Sequence, residues 1–273
     1  MRNNWFLKVL AMLVGAAPAA AAQGLPPAED SAVARLNASP RHGEWITYDA
    51  GGGDSVKAWV VYPERSDKAP VVVVIHEIFG LTDWIRSVTD QLAAAGFLAI
   101  APDLLSGKGP SGGGTSSVDR QGAIALIQHL TPDEVQRRLR AAAAYATALP
   151  AARNAVGSVG FCWGGSTSFA FATSFADLKG AVVYYGTPPT EEAMGRIRAP
   201  VVGFYGGDDA RVTSTVEPAR GLMSKLGKSY EPHVFAGAGH GFLRDQAGRN
   251  GANLKAAQEA WPRTVAFLRE TLK

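Results

Sequence analysis

The 273-residue chain contains a single cysteine, Cys162, set in Gly160-Phe161-Cys162-Trp163-Gly164-Gly165 directly after an apolar, strand-like run over residues 155–161. A glycine two places before and two places after a nucleophile is the signature of a very tight strand-to-helix turn, here with cysteine where serine is commoner. Side chains on both flanks of such a turn would collide, which is why positions 160 and 164 call for glycine. The turn sets the sulfur at the N-terminus of the next helix, where the dipole favours the thiolate. Backbone N–H groups at the same bend can hold a developing oxyanion. A free cysteine is ordinarily a small buried hydrophobe; the glycine pattern and the position after a strand select the nucleophile reading instead.

A thiol nucleophile needs a base, and the base needs a group to orient it. On this kind of turn the chain order is nucleophile, acid, histidine. Both partners follow in that order. The strand over residues 201–205 ends in Gly206-Gly207-Asp208-Asp209, and either aspartate could orient a histidine. The strand over 230–235 leads into Ala236-Gly237-Ala238-Gly239-His240-Gly241-Phe242, where a loop histidine could reach the cysteine as base and then acid. Of the other histidines, His42 lies near the start of the mature chain, His129 in a helical region before Thr131, His233 inside a strand, and His76 beside a strand end.

The elements that must carry these residues are legible in outline. Residues 44–48 and 56–62 are strand-like runs around the turn Ala50-Gly51-Gly52-Gly53-Asp54, a hairpin signal. Residues 70–75 are continuously apolar and β-branched, as in a strand buried on both faces of a parallel sheet. Helices are expected over 83–95, from Thr131-Pro132-Asp133-Glu134 to about 149, after Gly164, and from about 254 to the end, the last kinked or restarted at Pro262. Residues 23–40 read as an extended lead-in and 105–118 as a glycine-rich loop. Alternating strand and helix from residue 70 onward gives an α/β fold, a mostly parallel sheet covered on both faces, in one domain over 23–273.

With these residues in place, the chain resembles the dienelactone hydrolase family of the α/β-hydrolase fold. The resemblance covers most of 70–270. It rests on His76-Glu77-Ile78-Phe79-Gly80-Leu81, Ala101-Pro102-Asp103-Leu104, the Cys162 turn, Tyr184-Tyr185-Gly186, the Gly-Gly-x-Asp turn and Ala238-Gly239-His240-Gly241-Phe242. It implies that Asp209, not Asp208, is the acid of a Cys162–His240–Asp209 triad. It implies that Glu77 contacts the resting thiol and helps generate the thiolate when substrate arrives, and that the N–H groups of Ile78 and Trp163 form the oxyanion hole. Family members that open dienelactones hold the substrate carboxylate with two arginines. Arg244 matches one; at the other, this chain reads Leu105-Ser106-Gly107-Lys108, leaving Lys108 as a point-charge substitute.

Composition is compatible with this reading. Hydrophobic residues make up 47%, enough for a sizeable core. The formal charge is +3, of which Arg2 and Lys8 supply two. Those two are the only charges in residues 1–22, which read as a signal peptide: a basic start, an apolar stretch from about Val9 to Ala17 and a small-residue cleavage site at Ala20-Ala21-Ala22. Export to the periplasm or medium is expected, as a monomer acting on a small-molecule ester or lactone. A near-neutral mature chain offers no electrostatic case for nucleic acid or an anionic membrane as partner. One cysteine and five histidines offer no metal-ligand cluster, and no cofactor is implied. A broader esterase, or a binding protein on the same scaffold, are the alternatives.

Overall fold

The computed structural model describes residues 24–273. The leader expected over residues 1–22 lies outside them. Eight strands form one sheet: β1 (Gly43–Asp49), β2 (Ser55–Val61), β3 (Ala69–Ile75), β4 (Leu98–Pro102), β5 (Ala152–Phe161), β6 (Leu178–Tyr184), β7 (Val201–Gly206) and β8 (Tyr230–Phe235). Their order is β1-β2-β4-β3-β5-β6-β7-β8. The hairpin β1–β2 and the β2–β4 pair are antiparallel, and every other pair is parallel.

The central strand β3 explains the layering. Val71, Val73 and Ile75 face one side of the sheet, Val72 and Val74 the other, and all five are fully buried. Each such side chain contributes roughly 1.5–3 kcal/mol on removal from water. Over the first face lie α4 (Pro132–Ala148), α5 (Trp163–Ser174) and α8 (Val216–Lys225), through residues such as Leu139, Phe169 and Met223. Over the second lie α1 (Ala32–Asn37), α2 (Asp83–Ala94) and α9 (Ala252–Thr271), through Ala32, Trp84, Trp261 and Leu268. The remaining helices, α3 (Arg120–Gln128), α6 (Glu191–Met194) and α7 (Ala210–Thr213), are connections.

Two expectations change, and helix α8 is added to them. The lead-in is not simply extended: residues 29–37 form a 3-10 turn and α1, because Ala32 finds a buried place with α2. Helix α9 neither stops nor restarts at Pro262 but runs through it. The hydrogen bond that proline forfeits is offset by the burial of Ala260, Trp261, Thr264 and Val265 around it. Helix α8 was not legible, since its thin apolar stripe of Val216, Ala219 and Met223 is interrupted by Pro218 and Gly221. Among the described residues no helix is long and apolar enough to cross a membrane.

The strand order places the chemistry. From β3 the chain moves to β4 on one side and later to β5 on the other, so the direction of winding reverses between β3 and β5. In open α/β sheets the crevice at the C-terminal ends of such a strand pair is where ligands bind.

Candidate active site

Ile75 of β3 is in register with Gly160 of β5, so His76-Glu77-Ile78 and Cys162-Trp163 leave the sheet side by side. Cys162 has φ 57° and ψ −117°, a strained backbone for a residue with a side chain; such conformations cost on the order of 1–3 kcal/mol and need their surroundings to enforce them. Its N–H donates to the Tyr184 carbonyl at 3.0 Å, and its carbonyl accepts from Ser166 N–H at 3.1 Å. A Cβ on Gly160 would sit 1.8 Å from the Gly164 carbonyl oxygen, and one on Gly164 would sit 2.3 Å from the carbonyl oxygens of Ile75 and His76. The glycines thus permit both the bend and the close approach of β3.

Cys162 is half-buried, and the N–H groups of Trp163 and Ile78 bear on its sulfur. Burial, then the charge of Glu77, push the thiol up to about 11, against the opposing pull of those N–H groups and Arg211. This reverses the expectation from the helix dipole. The resting sulfur is a thiol because removing it from water and facing it with a carboxylate outweigh the helix N-terminus.

Glu77 is 2% exposed. Burial raises its carboxyl to about 7, with Arg244 and Arg120 pulling down and Glu29 pushing up. Its near neighbour is Arg244, whose Nε lies 2.9 Å from Oε2, a charge pair without the alignment of a hydrogen bond. Glu77 therefore faces Arg244 and bears on Cys162 through its charge. The backbone here is set by His76. Its Nε2 accepts from Leu104 N–H at 3.1 Å, which assigns the proton to Nδ1 for donation to the Glu77 carbonyl at 2.7 Å. His76 is fully buried and stacked on Trp163. Burial lowers its pKa, so it serves as a neutral strut under the Glu77–Ile78 turn.

His240 and Asp209 meet at the ends of β8 and β7: Nδ1 lies 2.5 Å from Asp209 Oδ2. The Asp209 carboxylate is nearly buried and the imidazole about one-third exposed. The two loops are stitched together by Gly207 N–H to the Phe235 carbonyl and Asp208 N–H to the Ala238 carbonyl. Gly206 has no room for a Cβ, which would come 2.4 Å from the Gly239 carbonyl oxygen. Buried Asn253 of α9 accepts from Gly239 N–H at 2.8 Å and donates to the Asp245 carbonyl at 2.6 Å. Asp208 turns outward to Arg249 at 3.4 Å. Tyr185, at φ 41°, lies under His240 with ring centroids 5.0 Å apart; its buried hydroxyl has no hydrogen-bond partner and lies in the field of Glu77, Arg244 and Cys162.

Two cavities lie near these residues, one at the His240 loop and one at Trp163. One, of about 370 Å³, lies between His240, Arg244 and the N-terminal residues Glu29 and Asp30. The other, of about 260 Å³, is largely apolar and opens between Trp163, Val135 and Pro188. Lys108 does not join Arg244. It pairs with Glu134 at 2.6 Å, in a separate polar hollow with Asp54 and Arg138, because the glycine-rich loop is tied down by Asp103, which accepts from Thr115 N–H and Oγ1–H. Glu29, Arg120 and Asn253 entered the site unannounced. None belongs to a motif, and sequence separations of 91 and 215 residues hide the Glu29 pairings with Arg120 and Arg244.

The model of the dienelactone hydrolase family matches residues 56–272. A protein of Saccharolobus solfataricus assigned as a carboxymethylenebutenolidase is 30% identical over 259 residues, covering 84% of this chain and 98% of its own. A Salmonella typhimurium protein with the same assignment is 31% identical over 236 residues, covering 81% and 85%. A crystal structure from Klebsiella pneumoniae, assigned as a dienelactone hydrolase, superposes with TM-score 0.74 at 27% identity, covering 84% of this chain and 98% of that one. The chain belongs to the dienelactone hydrolase family, and is thereby a hydrolase of ester or lactone bonds.

Proposed function

We propose that the chain hydrolyses esters or lactones through a Cys162–His240–Asp209 triad and a thioester intermediate. The observation that carries this reading is the placement of one sulfur at a strained strand-to-helix bend with two backbone N–H groups, Ile78 and Trp163, already bearing on it. His240, oriented by Asp209, takes the thiol proton as sulfur attacks the carbonyl carbon. The Ile78 and Trp163 N–H groups hold the oxyanion. Collapse breaks the carbon–oxygen bond, and His240 returns its proton to the departing alkoxide. Water, deprotonated by the same imidazole, hydrolyses the thioester and restores the thiol.

Glu77 takes part as a charge that opposes ionisation of Cys162 while it is ionised and ceases to oppose it when protonated. With its carboxyl at about 7, that change is accessible near neutrality. Arg244 is assigned to the substrate side, where it lines the cavity beside His240. A thiolate expels an activated alkoxide readily and an amine poorly without protonation, so lactones and activated esters are favoured over amides. We also read the chain as exported, on Arg2, Lys8 and Ala20-Ala21-Ala22 alone.

Turnover of aryl esters and lactones by wild type and Cys162→Ala tests the reading. The variant is expected to lose at least about 1,000-fold in kcat/KM, the scale on which loss of a nucleophile is felt. Equal rates in both proteins would remove Cys162 from the chemistry.

A further inference from the structure

The N-terminal segment brings a carboxylate into the site. Glu29 Oε2 accepts from Arg244 Nη1 at 2.6 Å, and Oε1 accepts from Arg120 Nη2 at 3.0 Å. The two guanidinium groups flank Phe79, with their central carbons 5.4 Å and 3.8 Å from its ring centroid. The same Arg244 faces Glu77, and Glu29 and Arg244 line the cavity that His240 opens onto. The chain thus shows which chemistry this position accepts: a carboxylate, bound by two arginines from different elements, beside the imidazole.

Taking the hydrolase reading above as given, we propose that Glu29 is a specificity-determining residue. By filling the anion position made by Arg244 and Arg120, it directs the enzyme toward ester and lactone substrates that carry no carboxylate at that place. When ionised, Glu29 and Glu77 balance the charges of Arg244 and Arg120, and Asp30 and Asp245 line the same cavity. A substrate carboxylate arriving there meets two occupied guanidinium groups and must displace Glu29. Displacement is feasible because the bridge is partly solvated, with the Glu29 and Arg120 side chains 37% and 51% exposed, and such pairs are individually weak.

The segment does not depend on that carboxylate to stay in place. Glu29 N–H donates to the Arg244 carbonyl at 3.0 Å, Gln246 Nε2 donates to the Pro26 carbonyl at 2.9 Å, and Trp84 Nε1 donates to the Pro27 carbonyl at 3.0 Å. Ala32 is buried with α2. Removing the Glu29 charge therefore leaves the wall of the cavity standing, with Arg244 still facing Glu77 but no longer bridged to Arg120.

The test compares 4-nitrophenyl butyrate with the mono-4-nitrophenyl ester of glutarate, at low ionic strength, in wild type, Glu29→Ala, Glu29→Gln and Glu29→Ala/Arg244→Ala. The readout is the ratio of kcat/KM for the anionic ester to that for the neutral one. It is expected to rise about tenfold in Glu29→Ala, equivalent to about 1.4 kcal/mol, to rise in Glu29→Gln, and to return toward the wild-type ratio in the double variant. A second readout needs no turnover: the rate of Cys162 alkylation by iodoacetate relative to iodoacetamide, expected to rise in Glu29→Ala. Ester turnover with both ratios unmoved by Glu29→Ala, or with the gain fully kept when Arg244 is also removed, overturns the role of Glu29 and leaves the hydrolase standing. A raised alkylation ratio in proteins that turn over no ester leaves Glu29 standing and overturns the hydrolase.

Discussion

Cys162 and Glu77 are both held on the protonated side of their usual range. Burial disfavours the charged form of either group, and the negative charge of Glu77 further raises the cost of ionising Cys162. Arg244 is the counterweight, since it stabilises the Glu77 carboxylate. A site built this way keeps its single thiol un-ionised at rest, which limits oxidation, a hazard that grows with thiolate character and exposure. The same arrangement has a cost in stability that can be signed. Glu77 rises from its usual 4.5 to about 7 in the fold, so the folded state holds the proton more tightly than the unfolded chain. Its contribution is fully present below 4.5 and is lost as pH rises through 7. Glu77→Gln cannot lose it. The variant should therefore gain stability relative to wild type between about pH 4 and about pH 8, by on the order of 1–3 kcal/mol. Urea unfolding of both proteins at the two pH values measures this, and a difference independent of pH would contradict the burial of an ionising Glu77.

At the scale of elements, the site is a set of strand ends held in register by loops. Helix α9 reaches the imidazole through one residue, Asn253, which caps Gly239 N–H and clasps the Asp245 carbonyl. Asn253→Ala leaves the buried Gly239 N–H without its partner, expected to cost about 1–3 kcal/mol. It should also lower kcat through displacement of His240, with little change in the alkylation of Cys162 by iodoacetamide. A full loss of stability without loss of kcat would make Asn253 a purely structural strut. What could be read from sequence follows the range of the contacts. The Cys162 bend was legible because its steric demand is local, Gly160 against Gly164. The Asp208-Asp209 turn and His240 were legible because each sits in a glycine-rich turn just past a β-branched or aromatic strand, while the choice of Asp209 over Asp208 came from the family resemblance. Glu29 and Arg120 were not legible, because they mark no turn and gain meaning only through contacts with distant parts of the chain; Asn253 was not, because its nearby partners, the Gly239 N–H and the Asp245 carbonyl, are backbone groups that leave no residue pattern. Lys108 failed as a substitute arginine for a related reason. Loop position was legible, but the competing Glu134 on α4 was not.

Across the whole molecule, a two-faced apolar sheet supplies the rigidity that the strained Cys162 backbone requires. Strand β3, buried on both faces, and β5 beside it carry the two loops that hold Cys162, Glu77, Ile78 and Trp163. The alternating helix–strand pattern made this frame readable from residue 70 onward. The N-terminal segment, which looked like a bare lead-in, crosses to the rim of the site and places Glu29 among its charges. On the proposed mechanism these features serve one event, transfer of an acyl group to Cys162. Intact-protein mass spectrometry during turnover of a slowly deacylating ester observes that event most directly. The expected result is a transient mass increase equal to one acyl group, mapped to Cys162 and missing from Cys162→Ala. Steady turnover with no adduct on Cys162, and undiminished in the alanine variant, would contradict it.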